Sequence, residues 1–468
     1  MIQVEAHSLA RTDAVSGPTR RRPWLVAAGA SLATLLPLAY YFKRFPLYGP
    51  LSLDAGDSFY YLTVARSSLH APFFTFDGVH PTNGFHPAWQ MLLWTAMQHG
   101  VLSATDTTSA VNRLAILNLL FLSVASALFA LFVARQLRRP WIACVAVCPG
   151  FLWLVAGPAV PQCFANWSFC NGMETSLELF FFGLALLVLP WKATWTSPAT
   201  VEREFHGDCG YRLILSGLLF GCTVLSRLDD VFYLLPLSLL FLRTFGRRSR
   251  GATTAAVALP TIMLLAYLIY NRIVVGVYLP TSGTVKAGFA LADNLSTAFH
   301  TIFLLRFQES PGSPAPGLFP DTFERAFQMV APLVVCGYYL WKKRHSWGLV
   351  QALCAGVVLK GLYNLVFVSL FNQGPWYYGV SMFMSNLVIA IAIDDLLAHF
   401  EPKLTTSWRS EDRGNGRLRR LRRILRDYLP QSGRQNRCWT RLGSHCECAP
   451  GAQGDGAGGR RRPVCRDE

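Results

Sequence analysis

Charged side chains are scarce in this chain of 468 residues. Asp, Glu, Lys and Arg together make up 15% of it, against about 25% in an ordinary soluble domain. Acidic residues are the scarcer kind, with 27 Asp and Glu against 43 Lys and Arg. Hydrophobic residues account for 52%, and the mean hydropathy is +0.31. This balance indicates an integral membrane protein.

Several functional signatures are also missing. The net charge is +16, but no basic stripe is interleaved with stacking aromatic residues, so we expect no nucleic-acid partner. The Arg and Lys clusters lie between apolar segments and in the tail, where they orient a membrane protein. No set of ligands has the spacing of a metal site, so no cofactor is assigned, although a divalent cation is left open.

The apolar segments predict an all-α integral membrane protein with about ten transmembrane helices and a large first extracytoplasmic loop that carries partial-depth helices. The predicted crossings are 24–42, 112–137, 141–160, 175–190, 211–226, 231–242, 253–270, 326–341, 347–370 and 377–397. Segment 88–102 is treated as a partial-depth helix, because a full crossing there would place the basic cluster at 135–139 on the outer side. Both termini are then cytoplasmic.

The predicted organisation has three parts. Residues 1–23 form a cytoplasmic N-terminal segment, 24–398 form the transmembrane domain with its first outer loop at 43–111, and 399–468 form a basic, largely disordered cytoplasmic tail. Within the tail, Arg417–Leu429 has the pattern of a basic amphipathic helix that binds an anionic inner leaflet. The outer side is the periplasm if the membrane is a bacterial inner membrane, or the lumen if it is the endoplasmic reticulum.

Four residues on the predicted outer side carry modification signals. Asn166 and Asn294 begin Asn-x-Ser sequons. Cys163 and Cys170 are close enough in sequence to form a disulfide in an oxidising compartment. The alternative is a pair of buried free thiols.

The first outer loop concentrates the chemistry. Between Leu51 and Trp89 it holds carboxylates, imidazoles and aromatic rings, which suit a site that binds a polar substrate and moves a proton. The alternative is a solvated loop with ordinary helix caps. Later polar groups also fall near outer helix ends, among them Glu174 and the Arg227–Asp229 step, while Lys360 lies inside a predicted crossing. Each has an alternative interpretation. Glu174 would be an acid in the first turn of a helix, Arg227–Asp229 would neutralise itself at the surface, and Lys360 would extend its amine to the membrane surface.

The residues carry a resemblance to a known superfamily. Asp57-Ser58-Phe59-Tyr60-Tyr61-Leu62, followed by His80-Pro81-Thr82-Asn83-Gly84-Phe85-His86-Pro87-x-Trp89, resembles the GT-C membrane glycosyltransferases, in the subgroup of protein O-mannosyltransferases and aminoarabinose or arabinofuranosyl transferases. Gly172–Thr175, Arg227–Asp229 and Leu279–Ser282 with Lys286 resemble the same subgroup in its order. One position departs, since many relatives carry a second acid where this chain has Gly56.

The resemblance implies transfer of a sugar from a polyprenyl-phosphate donor to a glycan, lipid or protein acceptor at the outer membrane face. It makes Asp57 the candidate general base, with Asp54 as a possible substitute for the missing acid. The candidate substrate-binding residues are Tyr60, His80, His86, Trp89, Glu174, Arg227, Asp229, Lys286, Lys360 and Trp376. Arg227 and Lys286 are the expected cations for the phosphate, and His80 and His86 are expected to anchor the loop. A multi-pass transporter or lipid flippase, and an inactive glycosyltransferase relative, are the alternatives.

The topology gives a direct prediction. Residues 43–111 and 273–323 lie outside, while Arg247 and the tail lie inside. An impermeant thiol reagent added from the outer side is expected to label Ser296→Cys and to spare Ser249→Cys. Labelling in the reverse pattern would overturn both the topology and the shared face of the polar clusters.

Overall fold

The computed structural model describes residues 23–44, 56–135, 137–147, 171–190, 208–247, 249–281, 288–302, 321–344, 347–369 and 375–414. These residues are helical, with short connections between the helices. No β-strand is assigned in these ranges, which contain isolated bridges such as the one between Thr75 and Pro81. The all-α prediction is confirmed for this part of the chain.

Thirteen α-helices are described, and we number them in chain order. The first seven are α1 Pro23–Arg44, α2 Gly56–Ser67, α3 Pro87–Gln98, α4 Thr107–Ala134, α5 Ala143–Val147, α6 Thr175–Val188 and α7 Asp208–Ser226. The others are α8 Val231–Phe245, α9 Arg250–Val274, α10 Leu291–Ile302, α11 Asp321–Lys342, α12 Leu349–Phe367 and α13 Gly379–Gly414. Short 3-10 turns lie at Pro140–Ile142, Leu228–Asp230 and Pro375–Tyr378.

Five of these helices are long and apolar enough to cross a membrane. The apolar stretches are Thr107–Ala134, Cys209–Ser226, Arg250–Val274, Leu349–Phe367 and Gly379–Phe400. Two shorter apolar helical stretches, Pro23–Leu36 and Thr175–Val188, fall below that length. The predicted count of ten crossings is therefore not confirmed, although helices occupy most of the other predicted segments. Predicted crossing 141–160 is described only in its first residues, up to Val147.

Aromatic packing holds the centre of the bundle together. Phe129 of α4 stacks on Phe182 of α6 with ring centroids 5.9 Å apart, and it contacts Phe383 of α13 at 4.8 Å. All three rings are fully buried. Because lipid is as apolar as these side chains, close packing rather than exclusion of water keeps such helices together.

The predicted outer loop has a small core of its own. Tyr61 of α2, Phe85, Trp89 and Leu93 of α3 and Leu114 of α4 are buried against each other. The α4 helix starts at Asp106, whose carboxylate accepts hydrogen bonds from the backbone N–H groups two and three residues later at 2.9 and 3.2 Å. The loop helices are thus fixed to the bundle, which makes the loop a rigid platform.

The structure also corrects the interpretation of one sequon. Asn294 is 1% exposed, and its side-chain amide donates to the carbonyls of Leu365 and Val368 at 2.9 and 2.8 Å. An amide nitrogen committed to two buried carbonyls is not available to a glycan, so this sequon gives no evidence about the side of the membrane. The other sequon, at Asn166, lies outside the described residues, as do Cys163, Cys170 and Arg417–Leu429.

Contacts group the chain into two compact units. The first is Met1–Leu397, which holds the helix bundle and the outer-loop core. The second is Ala398–Glu468, of which the structure describes the last part of α13.

Helices α7 and α9 approach each other most closely at Gly217. A β-carbon at this position would lie 2.4 Å from the carbonyl oxygen of Ala256 and 2.6 Å from its Cα. Both are backbone atoms, which cannot rotate away as a flexible side chain can. The glycine is therefore required by the helix–helix distance.

We expect Gly217→Ala to lower the free energy of unfolding by about 1–3 kcal/mol, because the two helices must separate. The control is Gly251→Ala, where a β-carbon meets nothing within 4 Å and the new residue favours the helix. Melting temperatures in detergent measure both. An unchanged melting temperature for Gly217→Ala would contradict this packing.

Candidate functional site

A cavity of about 830 Å³ opens where the outer loop meets one end of the bundle. Its polar lining residues are Asp57, Tyr60, Tyr61, Thr82, His86, Glu174, Arg227, Asp229, Thr281, Asn364 and Tyr377. They come from the start of α2, the loop before α3, the residue before α6, the turn between α7 and α8, the segment after α9, the end of α12 and the 3-10 turn before α13. Segments far apart in the chain therefore converge on one space, with a volume typical of ligand pockets.

The start of α2 presents one carboxylate and two phenols to the cavity. Asp57 lies in the first turn of the helix, where the helix dipole stabilises the ionised carboxylate. The Tyr60 hydroxyl pairs with that of Thr82 at 2.9 Å. The Tyr61 hydroxyl donates to Glu174 at 3.3 Å, and burial followed by the charge of Glu174 raises the pKa of Tyr61 well above its ordinary value. Tyr61 therefore stays protonated and acts as a hydrogen-bond donor.

Arg227 links two carboxylates in the deepest part of the site. Its Nη1 donates to Glu174 Oε1 at 2.7 Å, and its Nε lies 2.9 Å from Asp229 Oδ1. The Arg227 side chain is 2% exposed, and the ring of Tyr377 covers it at 4.3 Å. A buried guanidinium needs this degree of pairing, because an unpaired charge in a dry site is strongly unfavourable.

Lys360 of α12 forms the second cationic centre. Its Nζ donates to Asp230 Oδ1 at 2.6 Å and lies 3.2 Å from Asp229 Oδ2. Burial disfavours the charge on Asp229, but Arg227 and Lys360 outweigh burial and lower the pKa of Asp229 to about 2. Asp229 therefore stays ionised and joins the two cations.

His86 connects the outer loop to this cluster. The backbone N–H of Leu228 donates to His86 Nδ1 at 3.3 Å, so the proton of the neutral ring is on Nε2. Nε2 lies 3.5 Å from Glu174 Oε1. Burial lowers the pKa of His86 despite the attraction of Glu174, which keeps the ring neutral at physiological pH.

The backbone before α6 is held in position by Trp89. The indole Nε1–H donates to the carbonyl of Gly172 at 3.2 Å, and Trp89 is 0% exposed. Gly172 has a φ of 77°, a conformation that costs a residue with a β-carbon more than it costs glycine. The turn directs the following residues, including Glu174, toward the cavity.

Asn83 fixes the segment that follows α9. Its Oδ1 accepts from the Thr281 hydroxyl at 2.8 Å and from the Thr281 N–H at 3.2 Å, while its Nδ2 donates to the Leu279 carbonyl at 3.2 Å. Asn83 is fully buried. The Asn83 amide thus bonds to Leu279 and to Thr281. These two residues and Pro280 between them line the cavity.

The cavity also has apolar lining residues. Leu228, Val231, Phe232, Tyr363 and Val368 contribute to it. The rings of Phe232 and Tyr363 are 4.8 Å apart. The lining of the cavity therefore includes both charged and apolar side chains, a combination that suits an amphiphilic ligand.

Six of the residues predicted from the sequence line the cavity, and a seventh lies directly behind it. The six are Asp57, Tyr60, His86, Glu174, Arg227 and Asp229, and the seventh is Lys360. Lys286 and Asp54 lie outside the described residues, and so does the side chain of Trp376.

Two predicted substrate-binding residues lie elsewhere. His80 has a side chain that is 81% exposed and pairs with Asp77 at 2.7 Å, and its backbone N–H also lowers the pKa of that carboxyl. Its contact with Asp77 lies within the loop. Trp89 is not among the cavity-lining residues, because its ring is inside the outer-loop core. Its contact with Gly172 makes it a support for the site.

Sequence reasoning did not assign roles to several residues that the structure brings to the site. Tyr61, Asn83, Asp230 and Tyr377 belong to this group, and so does Glu178 of α6, which is fully buried. Glu178 follows Glu174 by one helical turn, a spacing that places both on the same face of α6. That spacing within an apolar helix was the signal available in the sequence.

Comparison with known proteins gives matches to solved structures only. No protein-family model matches the chain, and no curated protein sequence matches it. Solved structures of an oligosaccharyltransferase from Archaeoglobus fulgidus are similar in fold, with the apo form at 15% identity and a TM-score of 0.41, covering 82% of this chain and 51% of that one.

The same archaeal protein, AglB, in complex with an inhibitory peptide and a dolichol-phosphate has 16% identity, 84% and 51% coverage and a TM-score of 0.41. Its form tethered to an acceptor peptide has 16% identity, 81% and 50% coverage and a TM-score of 0.39. The chain thus spans about half the length of these structures.

The Asn83 contacts give a structural prediction. Asn83→Ala removes the acceptor of the Thr281 N–H, so hydrogen exchange at this amide is expected to accelerate. Asn83→Asp keeps the acceptor oxygen and is the matched control, with exchange close to that of the wild type. Mass-spectrometric hydrogen exchange over residues 277–281 measures both. Equal protection in Asn83→Ala would show that other contacts hold this segment.

Proposed function

We propose that this protein transfers a sugar from a polyprenyl-phosphate-linked donor to an acceptor at the extracytoplasmic membrane face. One observation carries the proposal: the Asp57 carboxylate shares a cavity with the Arg227 ion cluster and with an apolar wall. A glycosyl phosphate on an isoprenoid needs all three. The carboxylate serves the sugar transfer, the cation binds the phosphate, and the apolar wall binds the lipid. The sequence resemblance to GT-C glycosyltransferases supports the same reaction.

Asp57 is the proposed general base. An acceptor hydroxyl must lose its proton as its oxygen attacks the anomeric carbon, and a carboxylate at the mouth of the site can take that proton. The oxygen–carbon bond forms while the bond from the anomeric carbon to the phosphate oxygen breaks. The departing lipid phosphate retains the electron pair of the broken bond.

Arg227 is the proposed contact for the departing phosphate. Two of its guanidinium nitrogens are engaged by Glu174 and Asp229. Arg227 also lines the cavity, where its guanidinium can reach a phosphate oxygen. A guanidinium held in place by two carboxylates is preorganised, and preorganised charge is what stabilises a developing anion. Lys286, outside the described residues, is the second proposed contact.

No step is assigned to a divalent metal. In the described part of the chain, no group of three His, Cys, Asp or Glu side chains is arranged to hold a metal ion. Glu174 and Asp229 already pair with Arg227, which occupies the oxygens that a cation would use. The carboxylates around the cavity therefore fit pairing with the Arg227 guanidinium better than coordination of a metal ion.

The proposed partners follow from the charged and the apolar residues that line the cavity. The apolar wall of Leu228, Val231, Phe232, Tyr363 and Val368 would bind the first isoprene units of the donor. One of the similar structures contains a dolichol-phosphate, and the donor proposed here belongs to that class. The acceptor is a glycan, lipid or protein that approaches from the outer side.

We expect Asp57→Asn to lower kcat by about 10²–10⁴-fold, the usual contribution of a general base, with little change in folded yield. Asp106→Asn is the matched control, since it makes the same chemical change at the start of α4, and Asn caps a helix as well as Asp. Both variants are assayed with a panel of polyprenyl-phosphate sugars. Wild-type turnover by Asp57→Asn would remove Asp57 from the mechanism.

A further inference from the structure

A buried acid without a hydrogen-bond donor lies behind the cavity. Glu178 is 0% exposed, and among the described residues no N–H or O–H group donates to either of its carboxyl oxygens. Asp230 is 1% exposed, and its Oδ2 likewise has no donor in the described part of the chain. The two carboxyl groups lie within hydrogen-bonding distance of each other.

The cations nearby are already committed to other acids. Lys360 is bound to Asp229 and Asp230, and Arg227 to Glu174 and Asp229. Tyr233 of α8 is another titratable group that interacts with Glu178, and its hydroxyl pairs with Ser381 at 3.1 Å. In the described part of the chain, the Glu178 carboxyl oxygens therefore receive no hydrogen bond from Lys360, from Arg227 or from a hydroxyl group.

Two ionised carboxylates in contact, away from water, repel each other strongly. Such pairs in proteins share a proton, which turns the repulsion into a hydrogen bond. Burial also raises the pKa of Asp230 despite the attraction of Lys360, in keeping with a carboxyl pair that is not fully ionised.

We infer that Glu178 is protonated in the folded protein and donates its proton in a hydrogen bond to Asp230 Oδ2. This bond leaves Asp230 Oδ1 directed at Lys360, at 2.6 Å. Lys360 in turn contacts Asp229, which contacts Arg227. Glu178 is thus the far end of a chain of contacts that sets the position of the phosphate-binding guanidinium.

Glu178 is a positioning residue, since it acts on Arg227 only through other side chains. Its expected effect on sugar transfer rests on the proposed function. Glu178→Gln replaces the acid by a neutral group of the same size that still donates to Asp230. It is expected to keep kcat/KM for the donor within about threefold of the wild type. Glu178→Leu has no donor and is expected to lower kcat/KM by about tenfold or more, because Asp230 Oδ2 is left unsatisfied.

The proton itself can be observed without any turnover. Infrared spectra of the purified wild-type protein are expected to show the carbonyl band of a protonated carboxyl group that shifts when glutamate is labelled with carbon-13. The band is expected to disappear in Glu178→Gln and to remain in the control Asp293→Asn, which alters an exposed acid of α10.

The outcomes separate the two proposals. A band that is unaffected by Glu178→Gln, or that follows labelled aspartate, overturns the assignment of the proton to Glu178. Full activity in Glu178→Leu overturns its positioning role, and if that variant does not fold, loss of activity in Glu178→Gln does so instead. A band that behaves as expected in a wild-type protein that transfers no sugar supports the protonated Glu178 and contradicts the proposed function.

Discussion

The site depends on the pairing of Arg227 with Glu174 and Asp229. A guanidinium that is 2% exposed is tolerated only while both carboxylates stay in place, since removing one partner of a buried ion pair costs about 3–5 kcal/mol. Glu174 precedes α6 and Asp229 belongs to the turn between α7 and α8. The two ion pairs of Arg227 therefore fix the position of the start of α6 relative to the turn between α7 and α8.

The second half of the cluster extends this constraint into α12. Lys360 lies on an apolar helix, where an unpaired ammonium group would be unfavourable, and its two aspartate partners come from the turn after α7. The same turn thus serves two cations, each from a different part of the chain. The cluster therefore ties α12 to the turn between α7 and α8 through buried ion pairs.

The motif residues of the outer loop perform different tasks although they are close in sequence. His86 contacts the cluster directly, Trp89 holds the turn before Glu174 from the rear, and Asn83 binds the segment after α9. His80 orders the loop tip, away from the cavity. The density of polar and aromatic residues in this motif thus reflects, at least in part, the construction of the cavity wall.

Composition and apolar periodicity determined the membrane class and the helical fold, because both are local properties of the chain. The position of the site at the outer loop was also accessible, since Asp57, His86 and Arg227 stand out chemically in an apolar sequence. Tertiary structure alone decided which of these side chains meet, that Trp89 faces a small core, that Asn294 is buried, and that Glu178 faces Asp230. Partners such as Arg227 and Glu174 are separated by 53 positions, and no local pattern encodes a contact that arises from the packing of distant helices.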